Sequence, residues 1–185
     1  MAGGRVIIFP TDTVYGIGTK INDLEGIKRI YEIKHRPKDK PLACLCASLK
    51  QIKDIAKVDY ISEALINKFL PGGFTLILES QDKVKESIGY QTIGVRIPDN
   101  DIALSILNEN GPMLTTSVNE SGMVPLNEYE QIKKEYSSLV DKIYDTNKES
   151  LNKPSTVVLV KDGVVKILRE GPISKKEIED YLSTL

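Results

Sequence analysis

The sequence predicts an α/β fold: a mixed, twisted sheet flanked by helices, in a single domain over residues 1–185. Three observations carry this. Short β-branched apolar runs, such as Arg5 to Phe9 and Thr92 to Ile97, alternate with stretches whose apolar residues recur at helical spacing. Asp162-Gly163 separates two further runs, Thr156 to Val160 and Val164 to Leu168; this is a hairpin signal and forbids a purely parallel sheet. At 185 residues and 41% hydrophobic, the chain can bury a sizeable core, and no repeat or linker interrupts it.

Arg5 to Phe9 reads as a buried strand ended by Pro10. Thr11 to Gly18 follows as a polar loop, with Gly16 and Gly18 supplying backbone freedom. Asn22 or Asp23 caps a helix to about His35, with Leu24, Ile27, Ile30 and Tyr31 on its inner face. Leu42 to Cys46 is a short strand. Ser48 caps a second helix that turns Leu49, Ile52, Ile55 and Ala56 inward. A third runs from Ile61 to Leu70, stopped by Pro71-Gly72-Gly73. Phe74 to Leu78 is a strand, and Ser80 to Gln91 a looser polar segment. Arg96 sits near the end of the Thr92 to Ile97 strand; Pro98-Asp99-Asn100 then starts a helix to about Asn108. Met113 to Thr116 is a strand and Ser117 to Asn127 a loop. A helix follows from Glu128 to about Tyr136, with Asn127 as its cap, then a strand between Leu139 and Tyr144. Thr146 to Pro154 is polar and expected to be mobile. Ser174 and Glu177 form a capping box for the last helix, which turns Ile178, Tyr181, Leu182 and Leu185 to the core.

Composition excludes several classes. The net charge of −1 argues against broad nucleic-acid binding. No apolar run approaches the roughly 20 residues that span a bilayer, and no apolar signal region precedes the first strand, so cytoplasm is the expected location. Cys44 and Cys46 would share one face of a strand; with one histidine in the chain they lack partners for zinc and read as small buried hydrophobes. The glycine-rich phosphate loop, the dinucleotide fingerprint and the serine-hydrolase elbow are all missing.

Three loops remain as candidates. Lys34 to Leu42 packs four Lys/Arg and the only histidine into seven residues, and Pro37 and Pro41 stiffen it. Alone it reads at least as well as a solvated helix C-terminus. Thr11 to Gly16 and Thr115 to Asn119 add hydroxyls and an amide at strand ends, where ligands collect in α/β folds. Bland alternatives stand beside each: Thr13 closing its own turn, Asn127 as a cap, Ser155 in a turn after Pro154, Arg169 on a hairpin surface. Arg96, if buried, needs a partner, and a neighbouring acid serves as well as a ligand.

Taken in order, P-T-D-T-V-Y-G-I-G (Pro10 to Gly18), K-H-R-P-x-x-K-P-L (Lys34 to Leu42), P-G-G-F-T-L-I-L (Pro71 to Leu78), G-V-R-I-P (Gly94 to Pro98), T-S-V-N-E-S-G (Thr116 to Gly122), S-T-V-V (Ser155 to Val158) and I-L-R-E-G (Ile167 to Gly171) resemble the YrdC-like family of threonylcarbamoyl-adenylate synthases. The resemblance implies a YrdC-like fold with a large concave cavity. It implies a nucleotidyltransferase that joins L-threonine, bicarbonate and ATP into threonylcarbamoyl-AMP, releasing pyrophosphate. That product feeds tRNA modification through a downstream threonylcarbamoyl-transferase complex. The family's K-x-R motif falls on Lys34 and Arg36 and its S-x-N motif on Ser117 and Asn119, the implied catalytic residues. Thr13, Arg96, Ser117 and Ser155 are implied around threonine, and Arg36, Lys40, Asn119, Asn127 and Arg169 around ATP. Mg²⁺ is expected to arrive with ATP, with no protein-bound transition metal.

The chain departs from the family's pattern in places. It starts almost on the first strand, where members usually have a helix. Leu45 stands where many carry a polar residue, Val124 replaces a common proline, and Lys40 a common asparagine. The segment K-P-L-A-C-L-C also resembles the YrdC-like domain of hydrogenase-maturation carbamoyltransferases (HypF), which makes carbamoyl transfer the rival activity. An RNA-binding module without turnover is the non-enzymatic rival; the net charge of −1 and 6% aromatics argue against it.

Overall fold

Residues 4–146 and 150–185 are described by a computed structural model. Part of the stretch expected to be mobile, 147–149, lies outside the described residues. In chain order the elements are β1 (Ile7–Phe9), β2 (Gly16–Lys20), α1 (Leu24–Ile33), β3 (Ala43–Leu45), α2 (Leu49–Ile55), α3 (Tyr60–Phe69), β4 (Phe74–Glu79) and α4 (Asp82–Ile88). They continue as β5 (Thr92–Arg96), α5 (Asp101–Asn110), β6 (Met113–Ser117), α6 (Tyr129–Tyr136), β7 (Lys142–Ile143), β8 (Thr156–Lys161), β9 (Val164–Arg169) and α7 (Lys175–Leu182). The strands form one sheet in the order β7-β1-β2-β6-β3-β5-β4-β8-β9. Parallel pairs (β1 with β7, β3 with β5, β4 with β8) are mixed with antiparallel ones, as the hairpin required. Asp162 and Gly163 both have positive φ, 51° and 75°, the backbone twist that a tight hairpin needs.

The alternation of side chains along each strand divides the sheet into two unlike faces. Val6, Ile8, Cys44, Cys46, Phe74, Leu76, Ile93, Val95, Leu114 and Val158 point to one side, where α1, α2, α3, α4, α6 and α7 cover them. Ile7, Phe9, Leu45 and Met113 point to the other, where α5 covers them with Ala103, Ile106 and Leu107. One helix cannot roof a nine-stranded sheet. The rest of this second face carries Thr75, Arg96, Thr115 and Ser117, and there a hollow remains.

Several expectations are corrected. Gly16 to Gly18, expected at the end of a loop, belong to strand β2. Its glycines are there for close approach: a Cβ on Gly16 would lie 2.7 Å from Thr115 Cγ2, and one on Gly18 would lie 2.7 Å from Thr115 Oγ1. The polar segment after β4 contains helix α4, which buries only Val84 and ends on Gly89 at φ 75°. A single apolar anchor leaves little helical periodicity to see. Leu24 and Leu185, expected in the core, are 58% and 46% exposed. Asn127 does not cap α6; Glu128 holds the N-cap position, without a side-chain hydrogen bond.

Capping elsewhere follows the sequence. Asp23 accepts from Gly26 N–H, Ser48 from Gln51, Asn100 from Ile102 and Ala103, and the Ser174–Glu177 box is complete. The end of α1 matters most for the site. His35 adopts φ 47°, its N–H bonds to Glu32 O, and Arg36 N–H bonds to Tyr31 O. This is a Schellman stop with histidine in the left-handed position that glycine usually fills. It turns the chain sharply between Lys34 and Arg36, so the two cations leave the helix in different directions.

Candidate active site

The hollow on the second face has a volume of about 250 Å³ and gathers strand ends from across the sheet. Its polar wall includes Thr13, Arg36, Thr75, Arg96, Ser117, Ser155 and Arg169, and its apolar wall includes Ala43 and Leu45. These positions lie up to 156 residues apart, from Thr13 to Arg169. Tyr15 also lines it, although its ring is buried in the core of the first face.

Lys34 stands behind the wall rather than in it. Its buried ammonium donates to Ser117 O, to Asn119 O at 2.6 Å and to Asn119 Oδ1 at 2.7 Å. Three N–H bonds meet three oxygens, and none belongs to a carboxylate. Burial, reinforced by the charge of Arg36, lowers Lys34 to about 8. Ser117 Oγ spends its proton on Asn119 Oδ1 at 2.8 Å, and Asn119 Nδ2 donates to Met123 O. In this arrangement the Ser117 proton and one Asn119 N–H hold the loop together, and Asn119 Nδ2 keeps a second N–H. Ser117 shows the hollow an oxygen that can accept.

Arg36 reaches the hollow from the Schellman turn. Its Nε and Nη2 donate to Lys40 O at 2.9 Å and Pro41 O at 3.0 Å, folding the cationic loop over its own guanidinium. Tyr31 OH also donates to Lys40 O, at 2.9 Å, and meets Tyr90 OH at 3.0 Å. The loop is thus stiff for reasons beyond its prolines. The Lys40 side chain is exposed and does not line the hollow, although its carbonyl organises Arg36.

Arg96 is buried and paired. Nη2 donates to Asp12 Oδ1 at 2.6 Å, Nη1 to Thr13 Oγ1 at 2.7 Å and Nε to Gly72 O at 2.9 Å. Of the two partners a buried arginine could find, the structure contains the acid. Asp12 was not singled out from sequence, though it stands beside Thr13 in the same motif. Thr75 was missed too; its hydroxyl lies 2.8 Å from Ser155 Oγ. Nothing in a strand sequence F-T-L-I-L marks that threonine except its alternation to the second face.

Arg169, read alone as a surface residue, closes the far side. Nε and Nη2 both donate to Ser155 O, at 3.0 and 2.9 Å, and no acid contacts it among the described residues. Asn127 is brought near but not in. Its Oδ1 accepts from Tyr15 N–H at 3.0 Å and its Nδ2 donates to Asn152 at 2.6 Å, so it braces the Thr11–Tyr15 loop from outside. Three guanidinium groups thus face one hollow, a lysine sits behind it, and Asp12 is the only acid bonded to any of them among the described residues. No group of three or more His, Cys, Asp or Glu is placed to hold a metal among the described residues. Nor is any helix there long and apolar enough to cross a membrane.

Known proteins are similar to this chain in sequence and fold. The Sua5/YciO/YrdC family, described as "Telomere recombination", matches residues 1–171. A putative threonylcarbamoyl-AMP synthase of Methanocaldococcus jannaschii is 35% identical over 93% of this chain and 83% of its own length. Threonylcarbamoyl-AMP synthase of Bacillus subtilis is 32% identical over 98% of this chain, which spans only 54% of that relative. The crystal structure of Pyrococcus abyssi Sua5 complexed with L-threonine superposes with a TM-score of 0.90 at 32% identity, over 97% of this chain and 54% of that one. Full-length HypF matches at 20% identity and a TM-score of 0.77, over 91% of this chain and 27% of HypF, a likeness of fold alone. The match over residues 1–171, with relatives of this similarity along nearly the whole chain, places it in the Sua5/YciO/YrdC family.

Proposed function

We propose that this chain is a nucleotidyltransferase that makes L-threonylcarbamoyl-AMP from L-threonine, bicarbonate and ATP. The observation that carries the reading is the convergence of Arg36, Arg96 and Arg169 on one hollow, in a chain whose net charge is −1. Threonine carboxylated on its amine is a dianion, and ATP is more highly charged still. Bringing a carbamate oxygen to the α-phosphorus sets like charges against each other, so catalysis is mostly neutralisation and positioning. The amine adds to the carbon of bicarbonate with loss of water. The carbamate oxygen then bonds to the α-phosphorus as the bond to pyrophosphate breaks.

Threonine is assigned to the Thr13, Arg96 and Ser155 side, against the apolar Ala43–Leu45 wall that would meet its methyl group. The phosphates are assigned to Arg36 and Arg169, with the base and ribose extending past the rim toward Lys40 and Asn127. Lys34, Ser117 and Asn119 act as a unit that fixes the loop beside the reacting phosphorus. Mg²⁺ would suit this site as a companion of ATP, on phosphate oxygens and water, because no group of three or more His, Cys, Asp or Glu is placed for a metal among the described residues. The name and bound threonine of the relatives support the substrate. The product would pass to a threonylcarbamoyl-transferase acting on tRNA in the cytoplasm, with at most weak direct RNA binding. Carbamoyl transfer, the HypF-like rival, rests on fold likeness and the short K-P-L-A-C-L-C segment.

Pyrophosphate release tests this. It should require threonine and bicarbonate together, and Arg36→Ala or Lys34→Ala should lower it by roughly a hundredfold or more, about 3 kcal/mol of transition-state stabilisation. Release that depends on carbamoyl phosphate, or that ignores both substitutions, contradicts the reading.

A further inference from the structure

We infer that Asp12 is a positioning residue for amino-acid binding: it aims Arg96 into the hollow and, through Arg96, sets the Thr13 hydroxyl as a hydrogen-bond acceptor beside it. The inference rests on the reading of the hollow as an amino-acid site. Asp12 does not line the hollow, whereas Arg96 and Thr13 do. Its Oδ1 takes Arg96 Nη2–H at 2.6 Å and the Asp99 N–H at 3.1 Å, and its carbonyl takes Leu151 N–H at 2.9 Å. One residue thereby joins the β1–β2 loop, the β5–α5 loop and the segment before β8.

The hydrogen bonds that start there have only one consistent direction. Arg96 can only donate, so Thr13 Oγ1 accepts its Nη1–H. Val14 O can only accept, so Thr11 Oγ1 spends its single proton there, at 2.6 Å. The 3.1 Å contact between Thr13 Oγ1 and Thr11 Oγ1 is then a donation from Thr13. Thr11 Oγ1 also accepts Thr13 N–H at 3.2 Å and Val14 N–H at 3.3 Å, so this third donation is shared, and Thr13 keeps one lone pair for the hollow. Arg96 has bonded three of its five N–H groups, which leaves one on each terminal nitrogen. The hollow therefore shows donors for a carboxylate next to an acceptor for an amine or hydroxyl. An α-amino acid carries both partners, whereas the ionised phosphates of ATP carry no donor for Thr13. A displaced Asp12 carboxylate lets the guanidinium turn and disrupts both halves of this pattern together.

Two variants separate positioning from charge compensation. Asp12→Glu keeps the charge and shifts it by one methylene; Asp12→Asn keeps the size and removes the charge. Calorimetric titration with threonine, and separately with ATP, reads the outcome. Positioning predicts that Asp12→Glu weakens threonine about tenfold or more while ATP affinity stays within about twofold of wild type. Asp12→Asn behaves likewise if it folds. Wild-type threonine affinity in Asp12→Glu, or equal losses for threonine and ATP, overturns the proposal. If the wild-type protein takes up no threonine, the reading of the site fails instead, and the Arg96 Nε–H proton resonance decides the positioning claim. A slowly exchanging signal in wild type that is lost in Asp12→Glu supports it, and an unchanged signal overturns it.

Discussion

Lys34 holds a buried charge that no carboxylate answers, and this has consequences for pH. The unfolded chain keeps the lysine protonated to about 10.5, whereas the folded chain releases it near 8. Below pH 8 both states are charged, and the folded state bears the full desolvation cost. Between pH 8 and 10.5 only the unfolded state keeps the proton, so stability rises across that window, at most on the order of 3 kcal/mol. Denaturant unfolding of wild type against Lys34→Met should show the wild type gaining over this window; parallel curves would contradict it. Activity should move the other way. A neutral amine has two N–H bonds for three oxygens, so the S-x-N loop loosens and turnover falls as pH passes 8. At this scale the sequence exposed residue types but not their partners. Arg96 in an apolar strand demanded a partner, yet only the fold brings Asp12 across 84 positions to meet it. A loop sequence does not say that Lys34, at the C-cap of α1, will organise Ser117 and Asn119.

Strand β2 is where local reading and tertiary packing disagreed. Glycines at Gly16 and Gly18 signal a loop when propensity is read alone, but here they let the neighbouring strand bring Thr115 close. Thr115 is buried and β-branched, so it cannot swing aside. Gly16→Ala should therefore cost about 1–3 kcal/mol in thermal unfolding. The clash at Gly16 is with Thr115 Cγ2, which serine lacks. Thr115→Ser should recover much of the loss for Gly16→Ala and little for Gly18→Ala, whose clash is with the retained oxygen. Equal rescue of both variants would remove this explanation. Helix α4 was illegible for the opposite reason: it buries one residue, so its tertiary contacts leave almost no trace in the apolar pattern. The capped helices and the Asp162-Gly163 hairpin were legible because their signals are local.

At the scale of the molecule, two unlike sheet faces make the site. Six helices seal one face, and the alternation that points Val95 into that core points Arg96 to the other side. A single helix, α5, covers part of the second face, and the uncovered part collects guanidinium groups and hydroxyls from strand ends far apart in sequence. The α/β class and mixed sheet could be read from interleaved periodicity and one turn. The hollow could not, because it is defined by what fails to cover a surface; it entered only through the family resemblance. The cationic loop was legible in part: its prolines show in the sequence, whereas the bonds of Tyr31 to Lys40 O and to Tyr90 do not. The central claim is that these cations bring a carbamate oxygen to the α-phosphorus of ATP. Mass spectrometry of the adenylate formed from threonine, ATP and ¹³C-bicarbonate tests it most directly. The account predicts a threonylcarbamoyl-AMP whose mass carries the heavy carbon, and little of it from Arg36→Ala; an adenylate without the label, or none at all from the wild-type chain, would contradict it.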